Sequence, residues 1–212
     1  MEWKIFEGLP QEEVRRILAG SRRRRFARGE TLFHEGDPGT TLHLVAKGRI
    51  AVRVTTALGE VATVELVLPG DVIGELALLS DDGVRGASAV ALEPTETLVV
   101  GKETFAAMRR DDPMVSDFLV RLLAGRVRRL TERLLEALYL PADVRLLRRL
   151  LELADVYGDV IPLIQEDLAG LAGTTRATVN RVLRRELARG TLELNRGKVT
   201  VLDRESLARR SR

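Results

Sequence analysis

Residues Glu30–Glu75 read ETLFHEGDPGTTLHLVAKGRIAVRVTTALGEVATVELVLPGDVIGE. Apolar residues alternate here in short runs, Leu42 and Leu44, then Ile50, Val52 and Val54. The runs are separated by turn sequences: Gly36-Asp37-Pro38-Gly39, Lys47-Gly48, Leu58-Gly59 and Pro69-Gly70-Asp71. A period of two sends successive side chains to opposite faces of a strand, and glycine or proline at such intervals lets the chain reverse. The pattern predicts many short antiparallel strands in a small sandwich or barrel, continuing through GASAVALEPTETLVVG to about Gly101.

On either side the period changes to that of a helix. Upstream, Val14, Ile17 and Leu18 follow the polar turn Gln11-Glu12-Glu13, predicting a short amphipathic helix from about Pro10 to Ala19. The basic run Ser21–Arg25 after it reads as a solvated face leading into the first strand. Downstream, Pro113–Leu140 is broken by no residue but Gly125. Its Leu123, Val127, Leu130, Leu134 and Ala137 follow the 4-3-4-3 spacing of a coiled-coil seam. Phe118 and Leu122 can face the barrel, which leaves the seam for a second copy and predicts a parallel homodimer. The other reading is a helix packed wholly within one chain.

Leu138-Tyr139-Leu140-Pro141-Ala142-Asp143 ends that helix, because proline cannot continue the ladder and restricts its predecessor, and it reads as a hinge. A smaller second domain follows. It opens with a helix carrying Val144, Leu147, Leu150, Leu151 and Leu153, then a short helix Gln165–Leu171, a tight turn Ala172-Gly173-Thr174, and a helix Thr175–Arg189 with Val179, Val182, Leu183 and Leu187 inward. This is a helix-turn-helix, with Thr174 or Thr175 as the cap of its second helix. Two short strands around Asn195-Arg196-Gly197-Lys198 make a wing. The expected divisions are residues 1–112 for the barrel, 113–140 for the dimerisation helix and hinge, and 141–212 for the winged helix-turn-helix.

A chain of 212 residues, 45% hydrophobic, is long enough for one or two domains with real cores. It holds no apolar run near the roughly 18 to 20 residues needed to cross a bilayer, and its first residues do not resemble a secretion signal. The expectation is a soluble cytoplasmic protein with no membrane partner. The absence of cysteine removes disulfides, thiolate nucleophiles and iron–sulfur clusters. The net charge of +3 is unevenly placed: residues 141–212 hold 14 Lys and Arg against 10 Asp and Glu, and the rest hold 20 against 21. The positive excess sits with the helix-turn-helix, as contact with phosphate requires.

Gly74-Glu75 and Arg85-Gly86-Ala87 bracket a loop with the composition of an anion cradle. Small residues let backbone N–H groups approach a phosphate, a guanidinium neutralises it with paired donors, and a carboxylate accepts from sugar hydroxyls. A cyclic nucleotide offers both partners. The plainer reading is that Glu75 and Arg85 pair with one another. In the second domain, Arg176, Ala177, Asn180 and Arg181 share the face opposite Val179 and Val182. Arginine pairs bidentately with guanine O6 and N7, so Arg176 and Arg181 are the candidate base readers, while Thr175, Thr178, Arg184 and Lys198 are placed for phosphates. The chain's histidines, His34 and His43, fall on separate predicted strands, which gives no metal-ligand set and no expected metal, haem or catalytic residue.

The array RRFARGETLFHEGDPGTTLHLVAKGRIAVRV, then LPGDVIGELALL, then VRGASAVA, resembles the cyclic-nucleotide-binding barrel of the cyclic AMP receptor protein and FNR family of bacterial transcription regulators. The long helix, hinge and helix-turn-helix follow in that family's order, so the resemblance covers nearly the whole chain. It implies an α+β fold: an antiparallel jelly-roll barrel, a long dimerisation helix and a winged helix-turn-helix. It also implies a non-enzymatic regulator controlled by cyclic AMP, with RNA polymerase and palindromic duplex DNA of TGTGA-like half-sites as partners. By this resemblance Glu75 holds the ribose hydroxyl and Arg85 the cyclic phosphate. Gly74, Leu76, Gly86 and Ala87 complete the cradle, and Arg126, Leu130 and Thr131 lie toward the purine. Three positions depart from the family's pattern. Gly86 stands where the receptor has a hydroxyl residue, Leu130 where it has a threonine, and Ala177 where it has a glutamate that accepts from cytosine. Within the same family, a regulator that needs no ligand or senses another small molecule is the alternative.

Overall fold

The computed structural model describes residues 3–57, 59 and 61–211. The chain falls into two compact units, Met1–Thr55 with Val64–Arg128 and Thr56–Thr63 with Arg129–Arg212.

In the first unit a 3-10 turn Lys4–Phe6 and helix α1 (Gln11–Ala19) precede the strands. Those are β1 (Arg22–Phe26), β2 (Thr31–Phe33), β3 (Thr41–Lys47), β4 (Ile50–Thr55), β5 (Val61–Val67), β6 (Val72–Ile73), β7 (Ser88–Ala91) and β8 (Thr95–Gly101). Helix α2 (Glu75–Leu79) lies between β6 and β7, and α3 (Lys102–Asp111) follows β8. The strands form two four-stranded sheets, ordered β1-β8-β3-β6 and β2-β7-β4-β5. The pairs β1–β8, β3–β8, β3–β6, β2–β7 and β4–β7 are antiparallel. β3 shows how alternation builds two cores from one strand. Leu42 and Leu44 point to one side, where Trp3, Ile5, Ile17, Phe105, Phe118 and Leu119 close over them. His43 and Val45 point to the other, and Val45 joins Phe26, Leu32, Ile50, Ile73 and Ala91 in the barrel interior. Phe118, with Leu122 against the same cluster, thus faces the barrel as expected. The four arginines Arg22–Arg25 form most of β1 itself, an exposed edge strand, rather than a lead-in to it.

Helix α4 runs from Pro113 to Tyr139. Of the expected seam, Val127, Leu130 and Leu134 are 64%, 49% and 58% exposed, Ala137 is exposed and Leu123 is half-buried.

In the second unit α5 (Ala142–Tyr157), α6 (Gln165–Ala172) and α7 (Arg176–Ala188) pack around Leu146, Leu147, Leu150, Leu168, Val179, Val182 and Leu183, all buried. Strands β10 (Leu192–Asn195) and β11 (Lys198–Val201) form the wing hairpin, and β9 (Val160–Ile161) adds a third antiparallel strand beside β11. Helix α8 (Arg204–Arg210) closes the unit, capped by Asp203, whose carboxylate accepts from Ser206 N at 2.9 Å. Leu187 does not point inward: it is exposed, and the buried position on that face of α7 is Glu186. The inward stripe runs 179, 182, 183, 186, so residue 187 lies about 100° off it. Glu186 tolerates burial because its carboxylate accepts from Thr191 Oγ1 at 2.9 Å, Arg210 Nη2 at 2.6 Å and Arg189 Nη1 at 2.8 Å.

Candidate ligand and nucleic-acid sites

The barrel cradle forms where β6 gives way to α2. Gly74 takes φ 92°, and an added Cβ there would stand 2.4 Å from Arg85 Nη1, so only glycine lets the guanidinium come so close. Arg85 is turned inward and 4% exposed. Its Nη1 donates to Gly74 O at 2.7 Å, its Nη2 to Thr41 O at 2.6 Å and to Thr41 Oγ1 at 3.0 Å. The guanidinium also lies 4.1 Å above the Phe33 ring. The loop that delivers it is braced by Arg85 N donating to Asp37 O at 2.9 Å and Gly36 N donating to Arg85 O at 2.8 Å.

Glu75, 1% exposed, does not pair with Arg85; its Oε1 accepts from Arg126 Nη1 of α4. Arg126 also reaches Glu65 Oε2 of β5 at 2.8 Å and donates to Val72 O at 3.2 Å. Burial pushes the Glu75 carboxyl up, against the opposing pull of the Arg126 charge. Three buried polar atoms of the cradle have no hydrogen-bond partner among the described residues: the donors Arg85 Nε and Arg126 Nε, the latter in an ion pair with Glu65, and the acceptor Glu75 Oε2. Buried polar atoms are nearly always paired, so the open donor of Arg85 and the open acceptor of Glu75 make this cradle the candidate ligand site.

In the second unit Gly173 takes φ 59° and ends α6, and Thr175 begins α7, its Oγ1 accepting from Thr178 N at 3.2 Å. Arg176, Ala177, Arg181 and Arg184 are exposed on α7, with Thr178 and Asn180 half-buried beside them. A groove of about 400 Å³ separates the start of α7 from the wing, and Gln165, Arg176, Asn195, Arg196 and Lys198 rim it over a floor of Leu163, Leu183 and Val199. The turn is tied back to the junction of α4 and α5 by one side chain. Arg145 donates from Nη1 to Leu140 O at 2.8 Å, from Nε to Ala172 O at 3.0 Å and from Nη2 to Gly173 O at 2.8 Å.

Comparison with known proteins matches residues 23–112 to the cyclic nucleotide-binding domain and residues 144–210 to the Crp-like helix-turn-helix domain. The chain is 38% identical over 198 residues to the cyclic AMP receptor protein of Thermus thermophilus, covering 93% of this chain and 91% of that one. This chain belongs to the CRP/FNR family. Like its relatives, it is a transcription regulator with a cyclic-nucleotide-binding domain and a DNA-binding helix-turn-helix, in a family of non-enzymes. It is also 30% identical over 216 residues to the CRP-like cAMP-activated global transcriptional regulator of Mycobacterium tuberculosis, covering 98% and 96% of the two chains. Among solved structures, the Thermus thermophilus catabolite activator protein matches at 37% identity with a TM-score of 0.56, covering 98% of each chain. The global regulator CLP of Xanthomonas campestris shares the fold, with a TM-score of 0.81 at 21% identity over 92% of this chain and 100% of that one.

Within this CRP-family member, Gly74, Glu75, Arg85 and Arg126 come together in one cradle. Leu76 and Gly86 are exposed and Ala87 half-buried at its edge, and Leu130 and Thr131 lie further along α4 on its exposed surface. Sequence reasoning missed Thr41, Phe33 and Glu65, which hold the two arginines. The alternation of β3 was the available signal for Thr41, since it puts this residue on the face of Val45. His34 lies just past β2 and is exposed, whereas His43 is 2% exposed within the barrel. Among the described residues no cluster of three or more His, Cys, Asp or Glu side chains could hold a metal ion, and no helix is long and apolar enough to cross a membrane.

Proposed function

We propose that the chain is a homodimeric transcription regulator whose barrel binds cyclic AMP and whose two recognition helices read a palindromic duplex. The observation that carries the ligand reading is the open pair of buried atoms, Arg85 Nε and Glu75 Oε2. A cyclic nucleotide supplies an anionic phosphodiester to accept from the first and a ribose 2′-hydroxyl to donate to the second. Gly74, Leu76, Gly86 and Ala87 line the rest of the cradle, and Arg126, Leu130 and Thr131 carry the contact to α4. Cyclic AMP is the nucleotide favoured by the names of the Thermus and Mycobacterium relatives.

The exposed seam positions Val127, Leu130, Leu134 and Ala137 support pairing of two copies. In this reading residues 1–112 sense, 113–140 dimerise and transmit, and 141–212 bind DNA. Nucleotide binding favours one arrangement of the α4 pair, and the hinge at Pro141 then sets the recognition helices one helical turn of DNA apart. Arg176 and Arg181 read guanine, and Ala177 and Asn180 lie against neighbouring base edges. Thr175, Thr178, Arg184 and Lys198 hold phosphates. With alanine at 177 a TGTGA-like half-site is relaxed at one base pair by about 1–3 kcal/mol. RNA polymerase is the partner at the promoter. Calorimetric titration with cyclic AMP and cyclic GMP, repeated on Arg85→Ala, tests the reading. Saturable heat with cyclic AMP, weakened at least tenfold by the substitution, is expected. No heat with either nucleotide refutes it in favour of a ligand-independent regulator.

A further inference from the structure

We propose that His43 is a positioning residue for Arg85, acting through the hydroxyl of Thr41. The inference rests on the reading of the cradle as a cyclic-nucleotide site. Thr41 and His43 stand two residues apart on β3 and so share the face that looks into the barrel. That interior is mostly apolar, lined by Phe26, Leu32, Val45, Ile50 and Ile73, with the hydroxyl of the buried Thr97 beside the ring. A histidine there breaks the pattern of its own core, and such breaks concentrate where function demands them.

Two hydroxyls flank the ring nitrogens. Thr41 Oγ1 accepts from Arg85 Nη2 at 3.0 Å, and it lies 3.4 Å from His43 Nε2. His43 Nδ1 lies 3.1 Å from Thr97 Oγ1 of β8. A hydroxyl has a single hydrogen, and Arg85 has none of its own lone pairs to receive it. In the proposed arrangement the Thr41 hydrogen points to Nε2, which leaves an oxygen lone pair aimed at the guanidinium and puts the ring proton on Nδ1, donated to Thr97. Burial, followed by the charges of Arg85 and Arg24, lowers the His43 pKa to about 3, so the ring stays neutral and one of its nitrogens is an acceptor. Phe26 and Phe33 flank the imidazole with ring centroids 6.3 and 5.9 Å away, and the same Phe33 underlies Arg85. Arg85 Nη2 is held from two sides, which leaves Nε as the edge presented to an anion.

Two measurements on the full chain test this. The protein has two histidines, so a His34→Gln background leaves one imidazole for nitrogen-15 NMR without any ligand. The expected spectrum is a neutral ring protonated on Nδ1, whose Nε2 signal moves on Thr41→Val. A ring protonated on Nε2, or one indifferent to Thr41→Val, overturns the inference. Calorimetry with cyclic AMP then compares variants. His43→Phe and Thr41→Val each weaken binding about fivefold, the scale of one hydrogen bond, and the double variant is no weaker than either alone. His43→Gln, whose amide can both accept and donate, restores affinity to within about twofold. A His43→Phe protein that binds like the parent, or single effects that multiply in the double variant, assigns His43 to packing alone. Should the parent take up no cyclic nucleotide, the proposed function fails while the NMR measurement still decides the role of His43.

Discussion

Replacing Leu134 by glutamate tests the two-copy arrangement at its centre. Complete burial of a leucine is worth about 1.5–3 kcal/mol. With 58% of Leu134 exposed in the single chain, occlusion in a paired seam has about 1–2 kcal/mol left to gain per copy. A glutamate forfeits this on both copies and sets two carboxylates against each other, each desolvated at a cost of several kcal/mol. The combined loss is about 5 kcal/mol or more, roughly three to four decades in dimer Kd. Glutamate is a good helix former, so α4 should keep its helicity, which circular dichroism checks. Sedimentation equilibrium at micromolar concentrations should find the parent chain paired and Leu134→Glu single. The reasoning is refuted if the parent sediments as one chain, or if the variant pairs as tightly as the parent.

Four further substitutions probe the two units. In gel shifts on a palindromic duplex, Arg176→Ala should relax discrimination at one base position by about 1–3 kcal/mol, whereas Lys198→Ala should weaken all sequences alike and lower the salt slope by about one; the same effect from both variants refutes the division of labour. Glu186→Ala strips a buried carboxylate from Thr191, Arg189 and Arg210 and should destabilise the second unit by about 3–5 kcal/mol in denaturant unfolding, a loss under 1 kcal/mol showing the network to be ornamental. His43 titrates near 6.5 when unfolded and at about 3 when folded, so below pH 6.5 the unfolded chain binds the extra proton and stability falls by about 1.4 kcal/mol per pH unit until about pH 3. Unfolding midpoints at pH 6.5 and 5 should therefore separate the parent from His43→Gln by about 2 kcal/mol, and parallel pH dependence in the two proteins contradicts the buried neutral ring.

The period-two runs of Leu42–Val54 and the period of Pro113–Leu140 were enough to place the barrel and the long helix, because burial on one face writes itself directly into spacing. Thr175 as the cap of α7 was legible as one of two threonines for the same kind of reason: capping is local chemistry. What escaped was settled by distant partners. Helix α8 is held by Asp203 and by Arg204 donating to Ala154 O at 2.7 Å, a contact across 50 residues. Leu187 was a fair inward choice by hydrophobicity, but residues as distant as Arg210 make Glu186 the better occupant. In the cradle, composition pointed to Gly74, Glu75 and Arg85, yet Arg126 takes Glu75, and Arg85 turns to the carbonyls of Gly74 and Thr41. No spacing rule encodes which of two arginines a carboxylate will choose, since that depends on where β6 and α4 come together. His43 read as an ordinary barrel residue because one histidine in a strand carries no local signature of its tautomer.

The three carbonyls gathered by Arg145 have a mechanical meaning. A single rigid, planar group spans the elbow at Leu140 and the bend that precedes the reading helix, so neither can pivot without dragging the other. In the proposed mechanism this one group is the shaft between the end of α4 and the bend before α7, and its gearing is set by backbone oxygens that substitution of other side chains leaves in place.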